Sequence, residues 1–176
     1  MMEGYGMVAN ALLTRHLKRH RGMTIGRARR SDAGEVYAVV EAAFARYADR
    51  MEGPPAPLLA DYARLAATDR VSVLRHGRRV VAVMVHDITG GAIEIDTVAV
   101  RPECEARGYA RLLLDWAIDT GLASGAHAVT LYTNEVMHEA QAFWARQGFR
   151  ETGRGREDGY TRVYFRRCLR PEGAPA

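Results

Sequence analysis

Hydrophobic positions along this chain recur with two periods, and the points where the period changes mark its elements. Met23-Thr24-Ile25-Gly26-Arg27-Ala28-Arg29 reads as a short strand, followed by Ser31 as the expected N-cap of a helix with Asp32 and Glu35 in its first turn. Val36, Val39, Val40, Ala43, Phe44 and Tyr47 then fall at helical spacing. The proline-rich loop 52–59 breaks that helix, and a shorter helical piece covers 58–67. Residues 71–100 read as three strands turning at His76-Gly77-Arg78 and at Thr89-Gly90-Gly91. Beyond Gly108 a strong amphipathic helix sets Ala110, Leu113, Leu114, Ala117, Ile118 and Gly121 on one face and Arg111, Asp115 and Asp119 on the other. A strand at 128–133, a helix at 138–147 stopped by Gly148, and a hairpin around Asp158-Gly159 complete the pattern. The sum is one mixed α/β domain over 23–169, an antiparallel meander followed by a βαβα run. Residues 1–22 read as an appended, flexible arm and 170–176 as a mobile tail.

One strand departs from simple alternation. Ile93 and Ile95 are odd-numbered, whereas Val98 and Val100 are even, so the buried face changes parity between them. A β-bulge at Asp96 or Thr97 produces that change; a strand buried on both faces is the alternative. A bulge would splay the strand from a parallel neighbour at 128–133 and open a slot along its edge. The chain leaving this strand passes directly into the loop 101–110 and the helix after Gly108, whose first amides and dipole suit an anion such as a pyrophosphate.

Composition adds limits. The 176 residues are 48% hydrophobic and 26% charged, a globular balance large enough for one core. The net charge of +4 comes almost wholly from arginine, since Lys18 is the only lysine, and no dense basic run with interleaved aromatics points to nucleic acid. Cys104 and Cys168 form no CxxC pair and read as free thiols, and the apolar run Val8–Leu13 is too short to span a bilayer. A cytoplasmic location without membrane attachment is therefore expected. His16 and His20 lack a third ligand nearby, so no metal is expected.

The order of elements, with Val98-Ala99-Val100-Arg101-Pro102 leading into Arg107-Gly108-Tyr109-Ala110-Arg111, resembles the GNAT superfamily of acyl-CoA-dependent N-acyltransferases over 23–169. The resemblance implies a mostly antiparallel mixed sheet with a splayed parallel pair of fourth and fifth strands, flanked by helices on both faces. It also implies acetyl-CoA as acyl donor, a primary amine on a small molecule or a protein as acceptor, direct transfer in a ternary complex, and a homodimer. Carried over position by position, Val98, Ala99 and Val100 would pair with pantetheine. Arg107, Gly108, Tyr109, Ala110 and Arg111 would hold the pyrophosphate, and Asn134 would contact the pantetheine arm or cap the following helix. Glu94 and Asp96 are the general-base candidates, each equally readable as a polar residue on a solvent-facing strand side.

Three positions depart from the family's pattern. Glu105 stands where Gln or Arg is usual, and is expected to point to solvent with Arg107 and Arg111 compensating its charge. Ala140 replaces an Asn, and Trp144 replaces the Tyr that serves as acid; an indole N–H donates a hydrogen bond but no proton at neutral pH. Solvent, Tyr132 or His138 would then supply the proton. These losses keep a second expectation open, a non-catalytic acyl-CoA-binding domain. The acceptor should enter between 51–59 and 153–160, where Glu52, Glu157 and Asp158 are candidates to meet an amine.

Overall fold

A computed structural model describes residues 22–169; the reading of 1–22 as an arm, apart from Gly22, and that of 170–176 as a tail lie outside the described residues. Seven strands form one sheet in the order β1-β2-β3-β4-β5-β7-β6. They are β1 (Met23–Arg27), β2 (Val71–His76), β3 (Arg79–Thr89), β4 (Ala92–Val100), β5 (Ala128–Asn134), β6 (Arg150–Glu157) and β7 (Tyr160–Cys168). Neighbouring strands are antiparallel except β4 and β5, which run parallel. Helices α1 (Ala33–Phe44) and α2 (Tyr62–Ala67) cover one face, and α3 (Tyr109–Ala123) and α4 (His138–Arg146) the other.

Each face has its own core. Val36, Val39, Val40 and Phe44 of α1 pack with Val71, Val73, Val83 and Ala99. Leu112, Leu113, Leu114 and Ala117 of α3 pack with Leu74, Met84, Ile93 and Ile95. Strand β3 lies between the two, which is why Val80 to Val85 reads as a continuous apolar run and is buried without interruption, together with His86. Gly121 lets α3 approach β4 closely: a Cβ there would stand 2.3 Å from Ile93 Cδ1.

Two boundaries differ from the pattern-based expectation. The first helix begins at Ala33, after a 3-10 turn at Arg30–Asp32. Asp32, not Ser31, organises that turn, accepting the Arg29 amide and the Arg75 guanidinium at 2.6 Å each. The same helix ends at Phe44 and tightens into a 3-10 segment, Ala45–Arg50, that still buries Tyr47.

The phase change in β4 is a bulge. Its register against β3 steps from Val85↔Thr97 to His86↔Ile95 and leaves Asp96 without an opposite residue. Ile93 and Ile95 therefore face the α3 core, with Val98 and Val100 packing against the same core, while Ala99 enters the α1 core. The alternative, a strand buried on both faces, does not hold, since Glu94 and Asp96 are exposed.

Across from the bulge lies a buried polar knot. His86 Nε2 and Ser72 Oγ are 2.9 Å apart, and Trp116 Nε1 donates to Ser72 Oγ at 3.2 Å. Because the serine oxygen accepts from Trp116, its own proton is free to go to a neutral imidazole. Burial pushes the His86 pKa down to about 4, and the Arg27 charge adds to the effect.

Candidate active site

The parallel pairing of β4 with β5 runs from Ala92↔Ala128 to Ile95↔Leu131 and stops there. The next residues on the two strands, Asp96 and Tyr132, stand at the apex where the strands diverge. Tyr132 Oη donates to Asp96 Oδ1 at 2.7 Å, and Thr97 Oγ1 donates to Oδ2 at 3.2 Å. Each carboxylate oxygen thus keeps a lone pair for a further donor. Burial and the Asp96 hydrogen bond push the Tyr132 pKa up, so its phenol stays protonated.

Below the apex the slot widens into a trough in two parts. The inner cavity, about 90 Å³, is bounded by Asp96, Thr97, Val98, Tyr132, Thr133 and Asn134, with Pro55 to Pro57 above. The outer cavity, about 440 Å³, is bounded by Val98, Val100, Cys104, Glu105, Gly108, Ala110 and Arg111. Phe44, Val98, Met137, Ala140 and Trp144 line both, so the two adjoin.

The outer cavity ends on the loop that starts α3. Ala106 and Gly108 both adopt left-handed backbone, with φ of 58° and 80°. Left-handed residues in a loop of this kind help to turn amides toward one side, as in an anion nest. The first turn of α3 adds amides that have no acceptor within the helix. At Gly108 the φ alone calls for glycine, since an added Cβ would meet nothing within 4 Å.

The walls are charged. Glu105 is exposed, as expected, but its counter-charge is neither Arg107 nor Arg111. Its carboxylate is paired with Arg46, on the 3-10 segment across the trough. One helical turn further, Arg50 pairs with Glu139 of α4 at 2.9 Å. Two ion pairs therefore link the segment after α1 to the opposite wall. Nothing in the sequence pattern marks Arg46, because its partner lies 59 positions away.

Of the residues singled out from sequence, Asp96, Val98 and Asn134 line the inner cavity, and Val98, Val100, Gly108, Tyr109, Ala110 and Arg111 line the outer one. Ala99 turns its side chain into the α1 core and leaves only its backbone on the slot edge. Arg107 is directed away, donating at 3.4 Å to the carbonyl of Glu103. Glu94 is exposed and lines a further cavity with Arg70, Thr130 and Tyr164, on the other side of the apex residues Ile95, Asp96, Leu131 and Tyr132 that border the slot. Asn134 Oδ1 accepts the Val136 amide at 3.1 Å, so the side chain organises the turn into α4 while it borders the slot. Trp144 is a core residue, stacked edge-on with Phe143 and Phe149 at 4.9 and 5.2 Å. Thr133 was not anticipated. The clue is that it follows Val129 and Leu131 at alternate positions on the apolar face of β5 yet carries a hydroxyl.

The far end of the inner cavity is roofed. Tyr160 Oη donates to the carbonyl of Pro54 at 2.6 Å, tying the β6–β7 hairpin to the proline loop. Arg162 stacks 4.2 Å from the centre of the Tyr132 ring. The carboxylates considered for amine binding are met by arginines: Glu157 and Asp158 pair with Arg162, and Glu52 lies 3.8 Å from Arg156.

A mixed sheet whose one parallel pair splays at a bulge, above a nest that opens a helix, defines the class. Residues 35–149 match the family model described as the acetyltransferase (GNAT) family, and the chain belongs to that family. Among curated proteins none matches the chain in sequence. Solved structures match it in fold. The ribosomal-protein-S18-alanine N-acetyltransferase of Escherichia coli shares 18% identity at a TM-score of 0.66, covering 88% of this chain and 99% of its own. The PaiA N-acetyltransferase of Thermoplasma acidophilum, solved with coenzyme A, shares 11% at a TM-score of 0.69 over 81% and 97%. The yncA protein of Salmonella typhimurium, solved with its cofactor acetyl-CoA, shares 19% at a TM-score of 0.64 over 89% and 99%. Among the described residues no group of three or more His, Cys, Asp or Glu gathers as a metal site, and no helix is long and apolar enough to cross a membrane.

Proposed function

We propose that this protein is an acetyl-CoA-dependent N-acetyltransferase that passes the acetyl group directly to a primary amine. The observation that carries the reading is the trough of two adjoining cavities, from the nest at Ala106 and Gly108 to the apex at Asp96. Acyl-CoA has its phosphates at one end and its thioester at the other. Phosphates on the nest therefore direct the thioester into the slot, where the β4 edge from Val98 to Val100 offers backbone groups to the pantetheine amides. Holding amine and thioester together at the apex supplies much of the acceleration, since a thiolate is a fair leaving group.

The chain's own groups then have simple tasks. Asp96 takes a proton from the substrate ammonium, directly or through one water, and leaves the neutral amine that attacks. Tyr132 and Thr97 orient its carboxylate, and the half-buried phenol stays neutral. Of the two carboxylates weighed from sequence, Asp96 is preferred, because Glu94 sits outside the slot. The roof from Tyr160 to Pro54 favours a slender amine that threads beneath it.

A second reading has one observation in its favour. Trp144 is committed to aromatic packing and Ala140 offers no polar group, so α4 brings neither hydroxyl nor amide to the slot. That suits a domain that binds acyl-CoA without turning it over. Thiol release from acetyl-CoA across a panel of amines separates the two. Transfer predicts release that falls about a hundredfold in Asp96→Asn and much less in Glu94→Gln. Binding without release by the unaltered protein would support the second reading and remove the first.

A further inference from the structure

Thr133 Oγ1 is buried without a hydrogen-bond partner among the described residues, in a residue only 5% exposed. Buried hydroxyls are nearly always satisfied, and an orphan calls for an explanation, a partner that arrives with a ligand being one. Its location supports this, because it borders the inner cavity together with Val98, Ala140 and Trp144. Side chains of β5 alternate faces, so Thr133 shares the face of Val129 and Leu131, toward α3 and α4.

The other hydroxyls of that cavity are already engaged. Thr97 donates to Asp96, Tyr132 donates to Asp96, and Tyr160 donates to Pro54. Arg162 is held by Glu157 and Asp158. Thr133 is the hydroxyl lining the cavity whose proton no group claims. It also lies on the side of the slot where α4 supplies only Ala140 and the packed indole of Trp144.

We propose that Thr133 is a catalytic residue that donates a hydrogen bond to the donor's sulfur as the carbon–sulfur bond breaks. This rests on the acetyl-transfer reading above and deepens it. In the step, the amine nitrogen forms a bond to the carbonyl carbon and the carbon–sulfur pair of electrons passes to sulfur. The nitrogen has already given its first proton to Asp96 before attack, and the second proton, lost once the new bond has formed, passes to solvent. The thiolate leaves hydrogen-bonded to Thr133, which keeps its own proton, and is protonated afterwards from solvent. A donor aimed at charge that develops only in the transition state acts on turnover more than on binding.

The test uses the whole protein with Thr133→Val, which keeps the shape and deletes the hydroxyl, and Thr133→Ser, which keeps the hydroxyl. The first readout is the ionisation of the thiol of bound coenzyme A, followed by thiolate absorbance against the free protein. A hydrogen bond to sulfur lowers that thiol's pKa in the wild type by about one unit relative to Thr133→Val, with Thr133→Ser like wild type. The second readout is turnover at saturating acetyl-CoA, falling about tenfold to a hundredfold in Thr133→Val while coenzyme A affinity and melting temperature hold or rise. Equal thiol ionisation in wild type and Thr133→Val overturns the assignment, as does equal turnover. A Thr133→Val protein that melts early and loses coenzyme A also overturns it, since the hydroxyl would then be structural. Wild type that binds no coenzyme A fails the acetyl-transfer reading itself, and this assignment with it.

Discussion

Acid should weaken this fold through one residue. His86 is 4% exposed, and its pKa in the folded protein is about 4 against an ordinary 6.5. The unfolded chain therefore binds a proton that the folded chain refuses over that interval. Stability is unaffected above pH 6.5 and falls as pH drops toward 4, by about 1.4 kcal/mol per unit and about 3 kcal/mol in all. The loss is local in origin: an imidazolium would lose its bond from Ser72 and sit near Arg27 and Arg70. It bears on the site because His86 pairs with Ile95 at the edge of the bulge. Urea unfolding at pH 7 and pH 4.5, on wild type and His86→Gln, measures it. The wild type should lose roughly 2–3 kcal/mol more than the variant between the two conditions. An equal loss in both would refute the reasoning and move acid sensitivity to the carboxylates.

Other consequences follow from named contacts. Gly121→Ala should destabilise by about 1–3 kcal/mol despite alanine's better helix propensity, because its Cβ would overlap Ile93. Chemical unfolding would show this, and a gain in stability would mean that α3 can shift. Arg46→Ala should weaken coenzyme A binding about fivefold by leaving Glu105 unanswered near the phosphates, and adding Glu105→Gln should restore it. Both effects should shrink as salt is raised, and calorimetry at two ionic strengths checks them.

The parts of this protein legible in the sequence are those governed by local periodicity. Ile93, Ile95, Val98 and Val100 reveal the bulge because strand geometry ties parity to face. Gly108 and the apolar run after it reveal where α3 starts. Non-local pairing was not legible in the same way. Arg46 reaches Glu105 only because the segment after α1 folds over the trough, and neither residue's neighbours encode that contact. Asp96 and Glu94 look alike on one strand until the bulge turns the first into the apex and leaves the second outside. Thr133 lies between these cases: its parity is readable, but its missing partner is a fact of three-dimensional packing.

The central claim is that one trough holds an acyl-CoA, with phosphates on the α3 nest and thioester at Asp96. Calorimetric titration of the wild-type protein with coenzyme A and with pantetheine tests it most directly. The account predicts saturable binding of coenzyme A and a loss of at least about tenfold in affinity for pantetheine, which lacks the phosphates. Absence of binding by coenzyme A, or equal affinity for the two, would contradict it.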